Sequence, residues 1–150
     1  MKRATVAGAL ASILIGAAPL PVATLAVQIG NVRDDRGVLR IDVCPQGDFL
    51  KDTCPYTAPA PARAGTTVVV AQNVPAGRYA VQAFHDENRN GKVDRALFGV
   101  PKEGVGFSND APIRLGPPKW AAANFVYSGG EQAIALQMRY FLGASGPSNT

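Results

Sequence analysis

The sequence predicts an all-β sandwich of about seven strands over residues 24–142, and three observations carry that reading. Short apolar runs that alternate or are β-branched recur along the chain, each bounded by turn residues. Past the N-terminal leader, no run longer than about ten residues keeps the 3.6-residue apolar period of an amphipathic helix. The 16 Gly and 12 Pro in 150 residues supply the many turns that such a fold requires.

Thr24 to Gly30 (TLAVQIG) places Leu25, Val27 and Ile29 on one face, and Val38 to Cys44 (VLRIDVC) does the same with Leu39, Ile41 and Val43. With the polar turn Arg33 to Gly37 between them, the two runs read as an antiparallel hairpin. Residues 45–65 carry Pro45, Pro55, Pro59 and Pro61 and read as a long crossing loop without ladders. Thr66 to Ala71 is a β-branched run. The turn at Asn73 to Gly77 then launches Arg78 to His85, with Tyr79, Val81, Ala83 and His85 on one face. Ala111 to Leu115, Trp120 to Ser128 and Glu131 to Phe141 read as the last strands, the final two joined as a hairpin at Gly129-Gly130. Residues 143–150 read as a flexible polar tail. An outer-membrane barrel is the competing all-β reading, but these runs fall short of the roughly 9 to 11 residues of a spanning strand.

The N-terminus explains where such a chain would work. Lys2 and Arg3 precede the uncharged run Val6 to Ile15, and an Ala- and Pro-rich stretch follows, the pattern of a signal peptide over residues 1–23 cleaved after Ala23. The run is too short for a transmembrane span. Export predicts a periplasmic or secreted protein, an oxidising setting in which the only two cysteines, Cys44 and Cys54, would pair. A C-x₉-C spacing matches neither a redox motif nor a zinc site.

Formal charge is +4, and removing Lys2 and Arg3 leaves 13 basic against 11 acidic residues, or +2. That scattered excess excludes the clustered basic footprint of a nucleic-acid-binding protein.

The most distinctive segment is His85 to Asp94 (HDENRNGKVD). Asp86, Asn88, Asn90 and Asp94 occupy positions 1, 3, 5 and 9 of a calcium-loop pattern, with Gly91 at 6 for the sharp turn and the Lys92 carbonyl at 7. Position 12 is Leu97 where an EF-hand has its bidentate Glu; Glu103, across a Gly-rich bend, is the nearest replacement. Two readings stand side by side: a structural calcium site on Asp86, Asn88, Asn90, Lys92, Asp94 and Glu103, or an Asn-Gly turn braced by its own Asx side chains. Arg89, Lys92 and Arg95 weaken the first.

Catalytic groups are scarce, and no catalytic residue is assigned. His85 is the only histidine, and an acid/base reading would pair it with Asp86 or Glu103 in a small hydrolase or isomerase. Ser108 lacks the G-x-S-x-G elbow of an activated nucleophile. A third reading is a small-ligand carrier with a pocket under Trp120 and Tyr127, which with Tyr140 would build an aromatic platform, residues that alternation otherwise assigns to the core.

The stretch PAGRYAVQAFHDENRNGKVD (75–94), then FGVPKEGVGFSND (98–110) and a PP-x-W element at Pro117 to Trp120, resembles the exported bacterial family known as domain of unknown function 2141. Its motifs HDEN-x-NG-x-x-D and FG-x-P-x-EG-x-GFSN are long and ordered, and the resemblance covers most of the chain after the leader. It implies a small periplasmic or secreted β-sandwich and carries no established activity. The PAG-x-Y-x-V segment is also similar to transthyretin-like modules, so an Ig-like or transthyretin-like topology is expected. The cysteine pair stands outside the family pattern. These readings converge on an exported, non-enzymatic module that binds or scaffolds an unidentified partner at the cell envelope.

Overall fold

A computed structural model describes residues 23–148; the expected leader lies outside the described residues, apart from Ala23. The strands are β1 (Thr24–Val32), β2 (Val38–Cys44), β3 (Tyr56–Pro61), β4 (Gly65–Gln72), β5 (Gly77–Asp86), β6 (Val105–Phe107), β7 (Phe125–Tyr127) and β8 (Glu131–Gln137), with one short helix, α1 (Trp120–Ala123). They form two sheets, β4-β1-β8 and β3-β2-β5-β6, with β7 pairing β5 beyond the end of β6. The chain is the all-β sandwich that its alternation predicts.

The core lies between the sheets and is built from the residues that period 2 sends inward. Leu25, Val27 and Ile29 of β1, Leu39, Ile41 and Val43 of β2, and Val81 of β5 have no exposed surface. Leu136 of β8 and the following Met138 complete the same layer. Full burial of each such side chain contributes about 1.5 to 3 kcal/mol.

Strand partners differ from the expectation in three places. The β1–β2 hairpin does not form: the two runs lie in opposite sheets, and β1 pairs antiparallel with β4 and parallel with β8. Alternation states which face is buried, and two strands facing each other across a core satisfy it as well as two strands side by side. The chain crosses between layers at Asn31 (φ 57°) and Gly37 (φ 69°). For the same reason the Gly129-Gly130 hairpin is replaced by a crossing, β7 going to β5 and β8 to β1.

The Pro-rich stretch also holds a ladder where none was expected. β3 pairs antiparallel with β2, with Pro59 opposite Arg40 and Pro61 opposite Val38. Two prolines are tolerated because β3 is an edge strand and residues two apart direct their missing N–H to the same, open side. Residues 111–115 form no strand, and Trp120 to Ser128 divides into α1 and the short β7.

Cys44 and Cys54 are disulfide-bonded, with Cα atoms 4.8 Å apart. The loop they close carries Phe49 onto the outer face of the β2-β5-β6 sheet. There it meets Phe107 edge-on at 6.0 Å and Trp120 at 5.7 Å. Ala80, Ala111 and Ala123 fill the rest of this second, smaller core.

Candidate functional site

The turn 86–94 grows out of the end of β5, and its geometry starts from a change of face. His85 points into the core and Asp86, one residue on, points to the outer face, as the pleat dictates. Asp86 is 3% exposed because the chain wraps around it. Its Oδ1 accepts the Asn90 N–H at 3.0 Å and its Oδ2 accepts the Gly91 N–H at 2.8 Å. Two Asx turns sharpen the curve: Asn88 Oδ1 accepts from Asn90 N at 3.1 Å, and Asn90 Oδ1 from Lys92 N at 3.1 Å. Arg89 (φ 61°) and Gly91 (φ 80°) take the left-handed conformations that this path needs.

The side-chain amides then converge. Asn88 Nδ2 donates to Asp94 Oδ2 at 2.6 Å and Asn90 Nδ2 donates to the same oxygen at 2.9 Å. Those two bonds, helped by the charges of Lys92 and Lys102, hold the Asp94 carboxyl below its ordinary value of 3.8. Glu103, 5% exposed, ties the ends of the loop together: Oε1 accepts the Glu87 N–H and Oε2 the Asp94 N–H, each at 3.0 Å. The six residues of the sequence motif therefore form one connected turn. No group of three or more His, Cys, Asp or Glu side chains suited to a metal ion occurs among the described residues, so any ion here would need amide and main-chain oxygens beside at most two carboxylates.

Sequence reasoning missed the charged latch beside this turn. Glu87 forms ion pairs with Arg33 and, at 2.7 Å, with Arg36, and Arg36 also pairs with Asp34 at 2.8 Å. Burial of Asp34 opposes its ionisation, yet the Arg36 hydrogen bonds and the Arg36 charge prevail and lower its pKa. The Arg33 guanidinium lies 4.5 Å from the centre of the Tyr140 ring. No local pattern could announce this group, because Arg33 and Tyr140 are 107 residues apart.

His85 belongs to the same latch and has no exposed surface. Its Nε2 lies 2.7 Å from the Arg36 carbonyl, which can only accept, so Nε2 carries the proton. Nδ1 then accepts from the Tyr140 hydroxyl at 2.9 Å, and that oxygen accepts the Arg33 N–H at 3.1 Å. Burial pushes the Tyr140 phenol up to about 12. His85, Asp86 and Glu103 each have separate partners, so the structure does not assemble the acid/base pair considered from sequence. Ser108 is likewise engaged, its Oγ accepting from Val81 N at 2.9 Å and donating to Ala123 O at 2.5 Å.

Nor do Trp120 and Tyr127 form a shared platform. Trp120 sits in the outer cluster and Tyr127 in the main core, its hydroxyl donating to Gly130 O at 2.6 Å. A cleft of about 650 Å³ lies elsewhere, over Arg40, Gln82 and Phe84, lined also by Leu50, Asp52, Gly91, Lys92, Val93 and Arg95. Asp42 at its floor is bonded to Arg40 at 3.2 Å and to Gln82 at 3.3 Å.

Among protein families, the one described as uncharacterised proteins conserved in bacteria, DUF2141, matches residues 27–135. That span contains most of β1, β2 to β7, most of β8, the whole 86–94 turn and Glu103. No curated protein and no solved structure matches the chain.

Proposed function

The chain belongs to the DUF2141 family of bacterial proteins, and from that premise we propose that it is an exported, non-enzymatic module with a binding or scaffolding role at the cell envelope, braced by a calcium ion in the turn 86–94. The observation that carries the calcium reading is the convergence of the Asn88 and Asn90 amides on one oxygen of Asp94, in the loop that wraps the buried Asp86. Two amide NH₂ groups direct partial positive charge at the Asp94 carboxylate, where a cation would sit. A rotation of each amide, which gives up the bonds that Asn90 N and Lys92 N donate to these oxygens, would present its carbonyl oxygen instead, joining Asp86, Asp94 and the Lys92 carbonyl in the oxygen-only donor set that calcium prefers. Glu103 supports the site from beneath by holding both ends of the loop.

Export is supported by the leader pattern and by the disulfide, which persists in oxidising compartments. Among the described residues no helix is long and apolar enough to cross a membrane. The non-enzymatic reading rests on His85 and Ser108, whose polar atoms are committed to structural bonds.

Few carboxylates and several nearby cations place the dissociation constant at about 10⁻⁴ to 10⁻³ M, the range of extracellular modules. Calcium at ten-fold excess over that constant stabilises the native state by about 1.4 kcal/mol, a rise of a few degrees in Tm. Calorimetric titration with calcium, paired with melting curves, tests this. Asp94→Ala should abolish both the heat and the shift while leaving the fold intact. No heat and an unchanged Tm across millimolar calcium would return the motif to a turn braced by its own side chains.

A further inference from the structure

The loop that follows the 86–94 turn exposes apolar side chains with no partner in the fold. Leu97 is 82% exposed and Phe98 fully exposed. Phe98 adopts φ 62° and ψ 19°, a left-handed conformation disfavoured for a bulky residue, and Gly99 follows at φ 75°. This outward pose is held rigidly. Ala96 N donates to Val100 O at 2.7 Å, Gly99 N to Ala96 O at 3.2 Å, and Arg95 Nη1 to Gly99 O at 3.0 Å. The base of the tip is fastened to the turn by Lys102 N donating to Asp94 O at 2.8 Å.

Charge along the segment that carries the tip is one-sided. From 88 to 102 the exposed ionised side chains are Arg89, Lys92, Arg95 and Lys102. The one carboxylate in that stretch, Asp94, is half-buried and bonded to two amides. Leu115, on the loop whose Pro117 shares the cleft with Lys92 and Arg95, is fully exposed as well. An apolar tip flanked along the chain by cations matches a surface that is negatively charged outside and apolar a few ångströms in.

We propose that Leu97 and Phe98 insert into an anionic phospholipid surface while Arg89, Lys92, Arg95 and Lys102 engage its headgroups. This deepens the envelope-binding role and rests on it, but not on calcium. Two apolar side chains and four cations make such binding reversible and salt-dependent.

The test is co-sedimentation of the processed protein with phosphatidylcholine vesicles and with vesicles of about one-third phosphatidylglycerol, in chelator, at low and raised salt. Binding is expected to the anionic vesicles alone and to weaken with salt. Phe98→Ser should lower the partition coefficient roughly ten-fold or more. Lys92→Gln with Lys102→Gln should lower it roughly 25-fold, at about five-fold per lost charge. Both variants alter exposed side chains, and unchanged melting curves verify their folding. Equal binding to neutral vesicles, no binding to either, or binding that survives Phe98→Ser would overturn the proposal. So would vesicle-free self-association in sedimentation velocity that Phe98→Ser abolishes, which makes the tip a contact between copies. Because chelator is present throughout, a failed calcium titration and a failed vesicle assay remain separate results.

Discussion

Asp86 and Asp94 do different work although the motif presents them as equivalent oxygens. Asp86 is buried and receives two main-chain N–H bonds, so Asp86→Ala should cost about 1 to 3 kcal/mol by leaving those donors unpaired, read as a lower denaturation midpoint. Asp94 is bonded by amides in solvent reach, and its effect is on pH dependence. Its folded pKa lies below the unfolded value of 3.8, so its contribution is present above that value and is lost as pH falls through the folded pKa. Acid titration of the wild type followed by NMR should therefore show the 86–94 turn loosening below about pH 3.8, and Asp94→Asn should remove that pH dependence. Tyr140 behaves with the opposite sign: burial raises its folded pKa to about 12 from 10.0, so its contribution is complete below pH 10 and is lost as pH rises through about 12. Tyr140→Phe should flatten alkaline unfolding in that window and cost about 1 to 2 kcal/mol at neutral pH through the orphaned His85 Nδ1.

At the scale of elements, the disulfide loop and the β1–β2 crossing bear on the site from opposite sides. Cys44→Ser with Cys54→Ser should lower stability by about 2 to 3 kcal/mol, because a loop of roughly eleven residues is freed in the unfolded chain. Phe49→Ala should cost about 3 kcal/mol more than a surface change, since Phe49 packs edge-on against both Phe107 and Trp120. Gly37 controls the approach of β2 to the turn. A Cβ there would collide with the Asp86 carbonyl, and its φ of 69° is left-handed. Chemical denaturation of Gly37→Ala should show a loss well above that of Gly129→Ala, where φ is 85° but the nearest atoms are 3.1 Å or more away.

The whole molecule holds two cores that share strands. β2 and β5 present Leu39, Ile41 and Val81 to the main core, and Cys44 and Ala80 to the outer cluster, to which β6 adds Phe107. Neither face can open without disturbing the other, so unfolding should be two-state. Trp120 fluorescence reports the outer cluster and far-UV circular dichroism the sheets; their transitions should coincide, and separated midpoints would show that the cluster melts alone. Leu136→Ala, at the parallel β1–β8 seam, should lower both midpoints together by about 2 to 5 kcal/mol.

The alternating runs at 24–30, 38–44, 66–71 and 78–85 were legible in the sequence, as were the inward faces, the cysteine pair and the membership of the 86–94 turn. Each follows from short-range rules, because the pleat and the turn chemistry of Asn, Asp and Gly act within a few residues. Strand pairing was not legible: a strand two residues from a turn and a strand across the core make the same demand on alternation, so β1 and β8 could be assigned partners only by the folded chain. The Pro-rich β3 needed an edge, which is a property of the sheet and not of the segment. His85 shows the same division at the site. Its place on the inner face is a matter of period 2, but its commitment to Arg36 and Tyr140 joins residues 49 and 55 positions away, and only tertiary packing brings such groups within hydrogen-bond reach.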